Sequence, residues 1–239
     1  MAFYPGQKNI LAAIIAVLIP VLFFLYFYNF KSPDGIKEIP KYKPTGIDSS
    51  KRGDGHPAND TIYHKVPPFA FVAHTGDTVT HRDFRGHITV ANFFFISCPT
   101  ICPQMMESLE SVQNAFYKDD VVKIISHTVD PEHDTVEALR KYALKHDAKE
   151  GKWYMVTGTR DSIYDIARWG YFVTAEQGSG PPTGFVHSPN LVLVDKKGVI
   201  RGYYDGTKEE EVNELVRNIG YLKMRYEQQR LEKERQKRQ

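Results

Sequence analysis

The chain has 239 residues, of which 41% are hydrophobic and 25% are charged, and its formal net charge is +2. This composition is that of a globular protein, and the length allows one core of about 150 to 170 residues rather than two large domains. The small net charge, without a cluster of Lys and Arg among aromatic residues in the predicted domain, argues against nucleic-acid binding.

The N-terminal part of the chain predicts a membrane anchor. Ile10 to Tyr28 contains no charged residue, and a helix of about 20 residues spans a hydrocarbon core of about 30 Å. The run is longer than the apolar region of a usual signal peptide, and its end at Phe23 to Tyr28 lacks small residues for cleavage. We therefore predict a short tail at 1–9 and a retained transmembrane helix at 10–30. Lysines follow the span in greater number than precede it, so charge alone does not place the domain outside the membrane.

Two polar segments flank the predicted domain at 63–222. Residues 31–62 are rich in Pro, Gly, Lys and Ser without a hydrophobic period, which predicts a flexible tether. Residues 223–239 are almost all charged or Gln, which predicts a solvated helical extension of the last helix. Contact of this extension with anionic lipid or a partner is the alternative.

The first predicted elements of the domain are a hairpin, a buried strand and a helix. Phe69–Val72 and Val79–Thr80 flank a Gly-Asp turn, and Thr80 to Asp83 has the spacing of a capping box. Ile88 to Ile96 is rich in β-branched and aromatic residues, which predicts a buried central strand. Gln104 to Tyr117 is predicted to be the helix that follows it.

The rest of the domain alternates between strand and helix patterns. We predict strands at Val121–Val129, Trp153–Val156, Asn190–Val194 and Val199–Tyr204, and helices at Thr135–His146, Asp161–Trp169 and from Lys208 onward. A Gly/Pro loop at 177–184 precedes the last two strands, which form a predicted hairpin. This order favours an α/β fold, a thioredoxin-like mixed sheet with flanking helices.

The only two cysteines, Cys98 and Cys102, lie at the predicted strand-to-helix junction. If the turn is already helical, their spacing puts both sulfurs on one side of it, where they can meet each other or share a metal. The helix N-terminus favours negative charge and is expected to lower both thiol pKa values. A structural disulfide is the alternative, but so short a loop contributes only about 2 kcal/mol.

A metal held by two thiolates normally takes at least one more ligand, and His187 is the best candidate among nine histidines. It ends the Gly/Pro loop, directly before the strand expected beside the central one. A surface or capping role for His187 stays open on spacing alone.

Three segments in order resemble the Sco/SenC family of copper-binding cytochrome c oxidase assembly proteins: Phe93–Pro103, Val129–Thr135, and Val186–Ser188 with Leu193–Gly198. The resemblance implies a membrane-tethered domain on the periplasmic or equivalent extracytoplasmic side. It implies that Cys98, Cys102 and His187 bind one copper ion and help to build the binuclear copper centre of the oxidase. The implied partners are the oxidase subunit carrying that centre and a copper donor. The basic C-terminal extension departs from familiar relatives.

The donor chemistry agrees with copper. Two soft thiolates suit Cu(I), and an imidazole nitrogen suits either oxidation state. A closed zinc site would need a fourth ligand. Because the same cysteines can form a disulfide, metal binding is expected of the reduced protein.

The competing function is enzymatic. A thiol–disulfide reductase that keeps the oxidase's copper-ligand cysteines reduced would use Cys98 and Cys102 as nucleophile and resolving thiol, without an imidazole ligand. The presence of His187 favours a metallochaperone over this enzyme. A thiol peroxidase is disfavoured because no matching Arg and Thr arrangement is found.

Four further polar residues lie near the predicted site. Asp134, with Glu137 three positions on, is predicted to cap the helix that follows. Asp130 is a candidate for orienting the metal ligands, with a turn role before Pro131 as its alternative. His127 and His133 are predicted to be structural.

Overall fold

The structure, a computed structural model, describes residues 17–21, 38–48, 60–173 and 188–238. The chain divides into two compact units, Met1–Glu38 and Ile39–Gln239. Residues 17–21 are helical, and the rest of the predicted anchor at 10–30 lies outside the described residues. Over the part of the chain that is described, no helix is both long and apolar enough to cross a membrane.

Nine strands are found among the described residues. They are β1 (Pro44–Asp48), β2 (Asp60–Tyr63), β3 (Ala70–Ala73), β4 (Thr78–Thr80), β5 (Ile88–Phe94), β6 (Val122–Thr128), β7 (Trp153–Thr157), β8 (Asn190–Val194) and β9 (Ile200–Asp205). The first two form an antiparallel ribbon, and the other seven form one mixed sheet in the order β4-β3-β7-β6-β5-β8-β9.

Strand β5 lies between β6 and β8 in the seven-stranded sheet. It runs parallel to β6, with Ile88 opposite Val122, and antiparallel to β8, with Ala91 opposite Val192. All seven residues of β5 are buried, because both faces of the strand are covered. The predicted central strand and the predicted β8–β9 hairpin are therefore confirmed.

Among the described residues, four α-helices pack on the two faces of the sheet. They are α1 (Ile101–Ala115), α2 (Val136–Lys145), α3 (Arg160–Asp165), which continues into a π-helical turn at Ile166–Gly170, and α4 (Glu209–Gln236). A 3₁₀ turn at His81–Phe84 carries the predicted capping box between Thr80 and Asp83.

Alternate residues of β5 pack into two separate cores. Val90 and Phe94 pack with apolar residues of α1, α2 and α4, whereas Ala91 and Phe93 pack with α3 and the first hairpin. This alternation follows from the twofold side-chain period of a strand. The predicted mixed sheet with helices on both faces is confirmed.

The described part of the predicted tether differs from the expectation at 31–62. Ile39 is buried in the core, and the Arg201 guanidinium donates to the carbonyls of Ile39 and Pro40. The Tyr42 N–H donates to the Ile200 carbonyl at 3.0 Å. Composition did not reveal these contacts, because the partners lie about 160 positions along the chain and the bonds use backbone groups. The folded unit therefore begins at Ile39.

The C-terminal extension is helical, as predicted. Helix α4 continues through Gln236, and its residues beyond Glu227 are exposed. An ion pair joins Arg230 to Glu227 at 2.5 Å, one turn apart.

Candidate metal centre

The two cysteines lie on either side of the start of α1. Cys98 belongs to the loop after β5, where its N–H donates to the Phe95 carbonyl at 3.2 Å, and Cys102 is the second residue of the helix. The helix begins three residues earlier than predicted, at Ile101. Both cysteines are free and buried, with exposed fractions of 5% and 3%. The two thiols lie near enough for each to shift the pKa of the other.

The surroundings of the two thiols differ. Burial opposes ionisation of Cys98, but N–H groups of Thr100 and Cys102 and the Cys102 thiol donate to its sulfur, so its pKa lies below the ordinary value. Burial, together with that donated hydrogen bond, raises the pKa of Cys102 to about 12. The expectation of a lowered thiol pKa is confirmed for Cys98 and is wrong for Cys102, because the helix terminus acts on a more deeply buried sulfur there.

Asp134 ties the cysteine loop to the sheet. Its buried carboxylate accepts a hydrogen bond from the Ile96 N–H at 3.1 Å and another from the Thr128 hydroxyl at 2.5 Å. Burial raises the pKa of this carboxyl group, against the lowering effect of the two hydrogen bonds. The carboxylate thus fixes the loop two residues before Cys98.

The prediction that Asp134 caps α2 is wrong. Thr135 is the N-cap, and its hydroxyl oxygen accepts from the Ala138 N–H at 3.2 Å. Both residues suit a cap, and the burial of the Asp134 side chain against the cysteine loop decides between them.

Asp130 forms hydrogen bonds with His133 and Thr128 and, in the described part of the chain, not with the cysteine loop. Its carboxylate accepts from His133 Nδ1 at 2.8 Å, and its N–H donates to the Thr128 hydroxyl oxygen at 3.1 Å. The Asp130 carboxylate raises the pKa of the exposed His133. Within residues 60–173, no hydrogen bond joins Asp130 to either cysteine. Its orienting role stays a prediction.

His127 is structural in character. It is fully buried, and its ring stacks on Phe93 with centroids 4.9 Å apart and an interplanar angle of 19°. Burial lowers its pKa to about 3, so the ring is neutral at pH 7. His127 lies on the face of the sheet opposite the cysteines, within the second core.

Tyr142 of α2 belongs to the same buried cluster as the two cysteines, and sequence reasoning missed it. Its ring stacks on Phe94 with centroids 5.5 Å apart. Burial raises the pKa of its hydroxyl, and the nearby Cys102 and Cys98 sulfurs raise it further. Leu139, Tyr142 and Ala143 form the buried stripe of α2, which is the pattern that could have indicated this position.

His187 lies outside the described residues, but the chain that follows it is described. Ser188 is buried, and the Pro189 carbonyl accepts from the Gly206 N–H at 2.7 Å. The pairing of Ala91 with Val192, continued at the same register, puts residue 188 level with Phe95. The start of β8 therefore reaches the sheet edge at which the cysteine loop begins. Among the residues that the structure describes, no group of three His, Cys, Asp or Glu side chains is placed to hold a metal.

Comparison with protein families identifies the chain. The SCO1/SenC family model matches residues 58–220, well over half of the sequence. The chain belongs to the SCO1/SenC family. The SCO1 protein homolog of Bacillus subtilis (strain 168) is 26% identical over 167 residues, which cover 69% of this chain and 86% of that protein. The mitochondrial SCO2 homolog of Danio rerio is 33% identical over 158 residues, which cover 63% of this chain and 55% of that protein.

Solved structures share the fold. BsSco, described with a disulfide switch and as a member of the Sco family of cytochrome c oxidase assembly proteins, is 26% identical with a TM-score of 0.56, covering 66% of this chain and 92% of that one. Bradyrhizobium japonicum ScoI with copper bound is 23% identical with a TM-score of 0.55, covering 66% and 99%. The domain of this SCO1/SenC protein is therefore a thioredoxin-like mixed sheet with helices.

Proposed function

We propose that this SCO1/SenC protein is a membrane-anchored copper metallochaperone that assists assembly of the binuclear copper centre of cytochrome c oxidase. The observation that carries the proposal is the pair of free, buried thiols of Cys98 and Cys102, which lie on either side of the start of α1 and near enough to shift each other's pKa. Family membership and a related fold with copper bound support it.

The proposed ligands of the copper cargo are Cys98, Cys102 and His187. Two sulfurs in contact provide a soft donor pair suited to Cu(I), and the imidazole adds a nitrogen that also suits Cu(II). The thiols must lose their protons on binding, so copper uptake releases protons. The burial of Ser188, two residues before β8, supports His187 as the third ligand, because Ser188 is its neighbour in sequence and the chain at Pro189 is held by a hydrogen bond to Gly206.

The residues around the thiols prepare the site. The Thr100 and Cys102 N–H groups at the start of α1 favour negative charge on the Cys98 sulfur. Asp134 restrains the loop through Ile96, and Tyr142 packs in the buried cluster that contains both cysteines. We propose that Asp130 contributes indirectly, since its charge acts on Asp134.

The proposed membrane anchor, location and partners follow from the sequence and its family resemblance. We propose that residues 10–30 anchor the protein as a single transmembrane helix and that the domain faces the periplasmic or equivalent extracytoplasmic side. The proposed partners are the oxidase subunit that carries the binuclear site and a protein that donates copper. The proposed extent of the copper-binding domain is 63–222, within the compact unit that begins at Ile39.

The substitution His187→Ala tests the proposal in the full-length chain. It removes one imidazole and leaves both thiols, so Cu(II) binding is expected to fall at least tenfold and oxidase activity in cells to be lost. His133→Ala, which removes an exposed imidazole, is the matched control and is expected to bind copper normally. Near-normal oxidase activity from a folded His187→Ala variant that no longer binds Cu(II) would overturn copper delivery.

A thiol–disulfide reductase is the second candidate function. The contact between the two sulfurs is the geometry from which a disulfide forms, and BsSco is described with a disulfide switch. In this reaction the Cys98–Cys102 dithiol would give two electrons and two protons to a disulfide of the oxidase subunit and become a disulfide itself. Retained activity of His187→Ala in cells would favour this candidate, because both thiols remain.

A further inference from the structure

A cavity of about 390 Å³ lies at the sheet end remote from the cysteines. It is enclosed by β2 of the ribbon, the turn between β8 and β9, and the second half of α4. Asp195 and Lys197 in that turn follow the last residue of β8, whereas the cysteine loop lies beside its first residue. We call this cavity the basic cleft, and it is separate from the candidate metal centre.

Basic side chains from several segments line the cleft. The five are Lys41, Lys65, Lys197, Arg201 and Arg225, and Asp195 is the one acidic residue among the described lining residues. Cations contributed by separate segments converge on one concave space, where the surrounding protein raises the strength of their field.

The single carboxylate does not neutralise the lysines. Asp195 is buried and accepts from the Arg201 guanidinium at 3.0 Å, and its other oxygen accepts from the backbone N–H groups of Lys197 and Val199. Arg201 is buried too, and its remaining donors bind the carbonyls of Ile39 and Pro40. Asp195 and Arg201 therefore use their hydrogen-bonding groups within the fold, and the charge of Asp195 is balanced by Arg201 rather than by the lysines.

The lysine ammonium groups keep their binding capacity. Lys65 and Lys197 are exposed, and no ion pair or side-chain hydrogen bond is found for either across the described ranges. The Lys41 ammonium lies 5.0 Å from the centroid of the Tyr63 ring, which holds it at the wall of the cleft without neutralising it. Like charges placed together repel, and a bound anion would turn that repulsion into attraction.

We propose that the basic cleft binds the phosphate group of an anionic ligand. A phosphate carries up to two negative charges and several acceptor oxygens, and lysine ammonium groups are common phosphate binders. A water occupies about 30 Å³ in the liquid, so the cleft has room for a diphosphate-sized group. A soluble phosphate compound and the headgroup of an anionic lipid present this same chemistry.

Binding measurements on the full-length chain in neutral detergent test the proposal. The probes are pyrophosphate and dioctanoyl phosphatidylglycerol, each titrated calorimetrically at low salt, with zwitterionic dioctanoyl phosphatidylcholine for comparison. The variant Lys65→Gln/Lys197→Gln is expected to weaken binding about tenfold or more. The matched control, Lys118→Gln/Lys237→Gln, removes the same charge from exposed lysines elsewhere and is expected to bind as the unaltered chain does.

The two probes distinguish a soluble phosphate ligand from a lipid headgroup. Binding of pyrophosphate alone supports a soluble ligand, and binding of phosphatidylglycerol alone supports a headgroup. Binding of both in competition supports one site for either. The proposal is overturned if neither probe binds, if both double variants lose equal affinity, or if phosphatidylcholine binds as well as phosphatidylglycerol. Both lysines are exposed, so thermal melts of the variants are expected to match that of the unaltered chain.

Discussion

Buried polar side chains lie at both ends of strands β5 and β6, but the two ends differ in how fully these side chains are hydrogen-bonded. At the amino end, the Lys152 ammonium donates to the carbonyls of Phe116, Asp119 and Val122 at 2.7, 2.5 and 3.2 Å. At the carboxyl end, Cys98 and Cys102 are buried like Lys152. A thiol is only a weak hydrogen-bonding group, and the Cys98 sulfur lies 3.8 Å from the Thr100 hydroxyl oxygen.

Burial alone therefore does not distinguish a structural group from a functional one. Lys152 uses all three of its donors on backbone acceptors and has nothing left to bind a ligand. The loop that carries Cys98 is held by Asp134, and the two thiols are the proposed copper ligands. Substitutions of Lys152 should change stability without changing copper binding, and substitutions of the two cysteines should do the reverse.

The largest expected effect is on copper binding. In the full-length chain, Cys98→Ser/Cys102→Ser replaces two soft sulfurs with hydroxyls, so copper content is expected to fall from one per chain to none. The thermal midpoint is expected to change little, because each replacement is nearly isosteric. Metal analysis after desalting checks the first point. One copper retained by the double variant would refute these cysteines as ligands.

The largest expected effect on stability is at the opposite end of the strands. Lys152→Met keeps the length of the side chain but leaves three carbonyl groups without their donor, which is expected to cost about 2 to 4 kcal/mol. Urea denaturation measures this loss, and copper content should be unchanged. Lys118→Met, at an exposed lysine, is the control. A loss of copper binding in folded Lys152→Met would contradict the separation of the two ends.

Asp134→Ala tests the link between the cysteine loop and the sheet. It leaves the Ile96 N–H and the Thr128 hydroxyl without an acceptor, at an expected cost of about 1 to 3 kcal/mol. Copper affinity is expected to fall as well, because the loop before Cys98 is released. Asp161→Ala, at an exposed aspartate, is the matched control, and an equal effect from it would show that Asp134 has no special position.

The smallest expected effect is a pH-dependent one at the amino end. Burial opposes ionisation of Asp119, but the Lys223 ammonium and the Val121 N–H outweigh it, so the pKa of Asp119 lies below its ordinary value. A lowered carboxyl pKa adds stability above about pH 4, and this is lost as pH falls through the folded pKa.

The variant Asp119→Asn is therefore expected to lose about 0.5 kcal/mol at pH 7, a small value because the site is partly solvated. The difference from the unaltered chain should shrink as pH falls toward 3. Urea denaturation at several pH values measures it. A difference that stays constant over this range would show that the charge of Asp119 is not the cause.

The sequence by itself determined the central strand, the last hairpin and the charged helix at the C-terminus. A run of β-branched and aromatic residues from Ile88, a turn signal at Asp195 to Gly198 and the charged residues after Lys223 are local patterns, and local patterns carry local structure. The position of Cys98 and Cys102 beside a helix start followed from the same patterns. The role of His187 rests on the family resemblance and stays a prediction.

The tertiary structure alone decided which carboxylate holds the cysteine loop, where the folded unit begins and how the two thiols differ. The sequence predicted Asp134 as a helix cap and Asp130 as the orienting residue, and only the approach of Ile96, 38 positions from Asp134, shows that Asp134 holds the loop. Ile39 joins the core through Arg201, 162 positions along the chain. Such contacts depend on the direction of single hydrogen bonds and on burial. Both are properties of the assembled sheet and helices, so no local sequence pattern encodes them.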